Sequence, residues 1–240
     1  GVTTTPEGFL FVYDKFKDNP TKSYSMVQAS THENSEYLPA DYIDTLIETY
    51  PSGLIEAYLK GRFVNLTSGS VYPQYSRSQN NSFESIQPNE PLIVGMDFNV
   101  NNMAACIFVE RDGCYHCVEE LTKGRDTDYM AKLLKERYLD KGHRVTVYPD
   151  ASGKNTTSKA ASVSDLSILE KHGLWVVVNN SNPRVRDRVN CVNAGFQNGK
   201  VFINSMRCPE TAKCIEQQPY DKNGVPDKDS GLDHQCDAFG

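Results

Sequence analysis

No apolar stretch in the 240-residue chain approaches the length of a membrane span; the longest, at 92–96 and 174–178, are strand-sized. The N-terminus has no basic segment followed by an apolar core, which excludes a signal peptide there, and it reads as a cut inside a longer protein. No 20- to 50-residue repeat is present, so solenoid and propeller arrays are excluded. There is no excess of positive charge: 25 Lys and Arg face 31 Asp and Glu, a formal net charge of −6. That argues against indiscriminate, charge-driven nucleic-acid coating but leaves room for a local basic track, and metal-holding carboxylates lower net charge without repelling DNA once loaded. The seven cysteines include one close pair, Cys114 and Cys117, with Cys106 upstream, and no second pair at zinc-site spacing. In a strand, residues three apart point to opposite faces, so buried free thiols in a reducing compartment are the expectation. No Gly-x-x-x-x-Gly-Lys-Ser/Thr motif occurs, so this chain alone is not expected to hydrolyse ATP.

What is present falls into three parts. Residues 1–65 carry helical spacing over 9–16, strand-like alternation over 24–29, a helix from about 38 broken near Pro51 and Gly53, and a helix over 54–60 ending at Gly61. Residues 66–90 are poor in aliphatics and rich in Ser, Asn, Gln and Tyr, the composition of a linker, although Tyr72 and Tyr75 point to packing rather than free chain. From residue 91 the pattern predicts strands over 92–98, 103–110 and 115–121, the last two joined by a hairpin turn at Arg111-Asp112-Gly113. There follow a helix over 126–139, a strand over 144–148, a helix over 165–172 closed by Gly173, and a strand over 174–178. A helix over 183–196, a strand over 200–203, a helix over 209–217 and a helix beginning near Leu232 complete the chain. Three strands followed by alternating helices and strands predict an α/β fold with a mixed sheet, an antiparallel meander extended by parallel crossovers.

Three carboxylates stand at positions where carboxylates are costly. Asp97 and Asp150 each end an apolar strand, and Asp237 lies in the last predicted helix. Taken singly each has an ordinary explanation as a strand end, a turn or a helix N-cap. Taken together on neighbouring elements they repel one another, and Mg²⁺ or Mn²⁺ relieves that repulsion. Two such ions can clamp a phosphodiester, one side activating water and the other stabilising the leaving oxygen. Asp233, four residues before Asp237 on the same helical face, is a further ligand or an orienting group. Asn99 could position water or phosphate beside Asp97. His234 is either a second-tier site residue or an exposed helix residue, and the latter is favoured.

The segments Gly95-Met96-Asp97-Phe98-Asn99, Tyr148-Pro149-Asp150-Ala151-Ser152-Gly153 and Leu232-Asp233-His234-Gln235-Cys236-Asp237-Ala238-Phe239-Gly240 resemble the three acidic motifs of the large terminase subunit of tailed bacteriophages. The stretch from Asn182 through Ala194, with Lys200-Val201-Phe202-Ile203, is similar to that family as well. So are the segment from Thr3 to Phe9 and the run from Tyr37-Leu38-Pro39-Ala40-Asp41-Tyr42-Ile43 to Tyr58-Leu59-Lys60-Gly61-Arg62-Phe63-Val64, which resemble the end of the family's ATPase domain. The resemblance implies a ribonuclease H-like nuclease domain over 91–240, short at its C-terminus, behind an ATPase-derived segment over 1–65 and a linker over 66–90. It implies a two-metal endonuclease acting on concatemeric double-stranded DNA, with Asp97, Asp150 and Asp237 as metal ligands and catalytic residues. Two Mg²⁺ or Mn²⁺ ions are the implied cofactors, with ATP used only by the full-length protein. The implied partners are DNA, a portal protein, a small terminase subunit and further copies in a ring, in the cytoplasm of the infected bacterial host and with no membrane involvement.

For DNA contact the densest basic cluster of the second half is Arg184, Arg186 and Arg188 near Lys200, with Arg184 and Arg188 on one helical face. Lys154 and Lys159, in the Ser/Thr-rich loop after Asp150, are further candidates. The alternative for both groups is a solvated surface. Nothing in the sequence suggests reading of base edges. Two other functions stay open: a ribonuclease H-like resolvase or transposase, and an inactive module that grips DNA or docks on a portal.

Overall fold

The computed structural model describes residues 3–4, 11–18, 21–49, 55, 57–63, 69–99, 102–149, 164–178, 181–221 and 223–240. Asp150, Lys154 and Lys159 lie outside the described residues. The chain divides into two compact units, Gly1–Ser70 and Val71–Gly240.

The first unit is built from short helical pieces. Phe11–Tyr13 forms one α-turn that widens into a π-turn over Asp14–Asp18, Thr31–Tyr37 is a 3₁₀ helix, and α1 spans Tyr42–Thr49. The strand expected over 24–29 is absent; that stretch is irregular, because alternation alone cannot make a strand without a neighbour to pair with. Thr31 N donates to Leu59 O at 2.8 Å, and Tyr13 meets Phe63 edge to face at 5.2 Å. Gly61, with φ +61°, sits where a Cβ would lie 2.4 Å from Ala29 O, so only glycine fits both the turn and the approach.

The second unit is a six-stranded mixed sheet in the order β5-β4-β1-β2-β3-β6. β1 is Leu92–Asp97, β2 Met103–Arg111, β3 Cys114–Gly124, β4 Val145–Pro149, β5 Trp175–Val176 and β6 Val201–Ile203. β1, β2 and β3 form the antiparallel meander; β4 runs parallel to β1, β5 parallel to β4, and β6 parallel to β3. The β2–β3 turn has positive φ at both Asp112 (52°) and Gly113 (72°), the twist that a two-residue hairpin requires. β1 and β2 are covered on both faces, which is why they read as continuous apolar runs.

One face carries α2, Thr127–Arg137, and α3, Asp165–Lys171, over Leu92, Val94, Met96, Val145 and Val147. The other carries α4, Val185–Gln197, α5, Pro209–Gln217, and α6, Asp233–Phe239, over Ala104, Cys106 and Phe108. Each fully buried Leu or Met contributes about 1.5–3 kcal/mol. Glu120 of β3 accepts from Glu210 N at 3.1 Å and Thr211 N at 2.7 Å, a carboxylate on the free amides that open α5.

Residues 71–90 belong to this second unit. Asn193 of α4 donates to Val71 O at 2.9 Å, Asn80 donates to Phe196 O at 3.0 Å, and Ser82 N donates to Ile203 O at 2.9 Å. Val71, Tyr72 and Tyr75 are buried in the α4–α5 core. All seven cysteines are free thiols, five of them buried. Among the described residues no helix is long and apolar enough to cross a membrane.

Candidate active site

The site forms where the end of β1 meets α6. A Cβ built on Gly95 would lie 2.0 Å from Ala238 O, so helix backbone rests directly on strand backbone at this point. That contact brings α6, with Asp233, His234 and Asp237, against the strand end that carries Asp97. Asp97 is 7% exposed and Asp233 4%.

Their charges are met unequally. Burial pushes the Asp97 carboxyl up to about 6, and the Asp237 charge adds to the rise, while His234 and Asn99 oppose it. His234 Nδ1 lies 3.3 Å from Asp97 Oδ2 and 2.8 Å from Asn99 Nδ2. The reading of His234 as an exposed helix residue is therefore corrected: its side chain is only 25% exposed and touches Asp97. Asp237 is ion-paired with Arg188 of α4. Asp233 Oδ1 is buried with no hydrogen-bond partner among the described residues, as is Arg188 Nε. An unpartnered buried carboxylate oxygen costs free energy that a cation relieves, so this all-oxygen donor set fits a hard divalent ion. Among the described residues, no group of three or more His, Cys, Asp or Glu side chains is placed to hold a metal ion. The described part of β4 ends at Pro149, the partner of Met96, one residue before Asp150 in the chain as Met96 is one before Asp97.

The basic cluster is divided. Arg184 and Arg186, at the start of α4, are exposed. Arg188, expected on the DNA-facing surface, instead turns inward to Asp237, with its side chain 20% exposed. Helix α4 begins at Val185, so Arg184 is its N-cap and not part of a helical face shared with Arg188.

A cleft of about 890 Å³ opens beside the site, lined in part by Arg188, Tyr220, Asp227, Asp233 and Asp237. Its outer wall is a loop that sequence reasoning missed, closed by a bridge between Tyr220 and Pro226. Asp221 Oδ1 accepts from Asn223 N at 2.8 Å and Val225 N at 3.1 Å, and Gly224 has φ +75°. The Asp221, Asn223 and Gly224 turn residues were the available signal. No sequence signal pointed to the Arg188–Asp237 pair.

The family model of the terminase RNaseH-like domain matches residues 94–240. The large terminase of a thermophilic bacteriophage, in complex with ATP-gamma-S, is similar in structure, with a TM-score of 0.57 at 18% identity over 98% of this chain and 60% of that one. The P22 large terminase nuclease domain gives a TM-score of 0.56 at 14% identity, over 72% of this chain and 89% of that one. The large terminase nuclease of thermophilic phage G20c with bound cobalt gives 0.51 at 13% identity, over 72% and 95%. The chain thus spans about three fifths of the length of the ATP-gamma-S-bound large terminase, and at these identities the likeness is one of fold. No curated protein matches it in sequence.

Proposed function

This chain belongs to the terminase RNaseH-like domain family, and from that premise we propose that it is the nuclease portion of a phage DNA-packaging motor, a divalent-metal-dependent endonuclease that hydrolyses phosphodiester bonds of concatemeric double-stranded DNA. One observation carries the reading: buried Asp97 and Asp233 share the junction of β1 and α6 with Asp237, and one Asp233 oxygen has no partner among the described residues. Carboxylates gathered at that expense are favoured by a bound cation. The cobalt held by the G20c nuclease is in keeping with this use of divalent ions.

Asp97, Asp150 and Asp237 would hold two Mg²⁺ or Mn²⁺ ions, with Asp233 as a further ligand or orienting group. When bound, the ions supply activation of water and stabilisation of the leaving oxygen. The chain's own residues do the positioning. Asn99 and His234 steady the Asp97 carboxylate, the bare Gly95 contact keeps α6 seated on the strand, and Arg188 holds Asp237 until the ion or substrate competes for it. Arg184 and Arg186, with Lys154 and Lys159, meet backbone phosphates. In the complete protein, residues 1–65 would be the end of an ATPase domain where ATP is used. The working partners would be DNA, a portal protein, a small terminase subunit and further copies in a ring, in the infected bacterial cytoplasm.

The test is nicking of supercoiled plasmid with Mg²⁺ or Mn²⁺ by this chain and by Asp97→Ala, Asp150→Ala and Asp237→Ala, paired with calorimetric titration of the ion. Metal-dependent cutting lost in the three variants supports the reading. A second reading, an inactive docking module, is favoured by the Arg188 guanidinium already seated on Asp237. A folded parent that neither cuts nor takes up metal would establish it instead.

A further inference from the structure

Among the described residues, nothing covers the sheet to its edge on the face that carries Asp97. In the parallel register Ile93 pairs with Thr146, Gly95 with Tyr148, and Thr146 with Trp175. Side chains alternate along a strand, so Tyr148, Trp175 and Val177 share the face of Gly95 and Asp97. Helix α6 lies over β1 and β2, and beyond it this face is open among the described residues. Tyr148 is 47% exposed, Trp175 61% and Val177 38%. The opposite faces of the same strands behave normally, with Val145 and Val147 buried under α2 and α3. The shelf also carries a cation: the Arg144 guanidinium carbon lies 5.6 Å from the centre of the Trp175 ring.

Two exposed aromatic rings with a guanidinium on one of them, on the face that carries Asp97, match what unpaired bases bind. Each base offers a flat face for stacking, and the guanidinium meets the backbone charge. An apolar protein partner would be served equally well by rings without the cation, and a duplex keeps its base faces hidden. We infer that the open face of β4 and β5, centred on Trp175 and Tyr148, is a stacking platform for unpaired bases of a DNA strand running to the Asp97 site. The inference rests on the nuclease reading for its biological sense but not for its test.

Trp175 is the chain's single tryptophan, so its emission reports on the platform directly. The experiment titrates the whole chain with an oligothymidylate and, separately, with a blunt duplex, in EDTA so that no cutting occurs. The single strand should quench Trp175 emission saturably and the duplex should not. By fluorescence anisotropy of a labelled oligothymidylate, Trp175→Ala and Tyr148→Ala should each bind about tenfold more weakly, and Trp175→Phe should retain most of the affinity. The exposure of both side chains makes these variants safe for folding, which circular dichroism checks. Unchanged Trp175 emission with single strand, equal quenching by duplex, or parental affinity in Trp175→Ala would each overturn the proposal. So would emission that shifts with protein concentration but not with DNA, which would assign the face to a second copy. Plasmid nicking by the same preparation is scored apart: a chain that binds single strand but never cuts would sink the nuclease reading and leave the platform standing.

Discussion

The buried Asp97 makes a quantitative prediction of unusual sign. Burial pushes its carboxyl up to about 6 in the folded chain from an ordinary value of 3.8. A raised folded-state value means that the ionised carboxylate is less stable folded than unfolded. The cost is fully present above the folded value and disappears as pH falls toward the unfolded one. A shift of this size corresponds to about 3 kcal/mol at neutral or higher pH, falling to roughly half of that near pH 5. Asp97→Asn keeps the shape and removes the charge. It should therefore stabilise the metal-free second unit by about 2–3 kcal/mol near pH 8, or about 5–10 °C in melting temperature for a unit of this size. The gain should shrink steadily as the pH is lowered. Divalent ions should raise the melting temperature of the parent and leave the variant unmoved, because ligand-linked stabilisation needs the ligand's site. The assay is thermal unfolding followed by circular dichroism over a pH series, with and without Mg²⁺. A variant less stable than the parent near pH 8, or one whose advantage does not vary with pH, would refute the assignment of strain to the Asp97 charge.

Other consequences follow from the same geometry. Gly95→Ala would place a methyl 2.0 Å from Ala238 O; neither backbone can yield as a side-chain tip would, so a loss of about 3 kcal/mol is expected by urea unfolding, together with weakened metal uptake. Parental stability in that variant would contradict the direct strand-to-helix contact. Arg188→Gln removes the guanidinium that competes for Asp237, so calorimetry should show tighter divalent-ion binding in the absence of DNA, whereas weaker binding would make Arg188 a support of the site. Replacing Arg184 and Arg186 together with Ala should weaken duplex binding across sequences and make the salt dependence shallower by about one to two ions. An unaltered salt slope would return both residues to the role of a solvated helix end.

Much of the sheet was legible because its central strands are buried on both faces. The runs that became β1 and β2 could hardly be anything else, and Asp112-Gly113 announced the hairpin by the conformations those residues tolerate. The failures have separate causes. The apolar run 174–178 reads as a strand along its length, but it lies at the end of the sheet order, where the strand is only Trp175 and Val176 and the side chains of Trp175 and Val177 are exposed. The polar stretch 66–90 reads as a linker because hydropathy is blind to amide side chains; from Val71 onward its packing is carried by Asn80, Asn81 and Asn193 as well as by the two tyrosines. Asp97 was legible as a carboxylate at the end of an apolar strand. The partner of Asp237 was not, because Arg188 sits 49 positions earlier and no local periodicity connects two helices that meet only in the folded core.

These failures and successes meet in the way the site handles its own charge. Each of the described carboxylates is accommodated differently. Asp97 shifts its protonation toward the neutral form, Asp237 borrows Arg188, and Asp233 leaves one oxygen unpartnered among the described residues. A single mechanism, such as surrounding all three with basic residues, would have made a more stable fold and a poorer ion site, since fixed cations would compete with mobile ones. The sequence carries that choice in Gly95. Because no side chain stands between Gly95 and Ala238, the carboxylates are held at the junction by close backbone packing rather than by their own attractions, and the core supplies the stability that the site gives up.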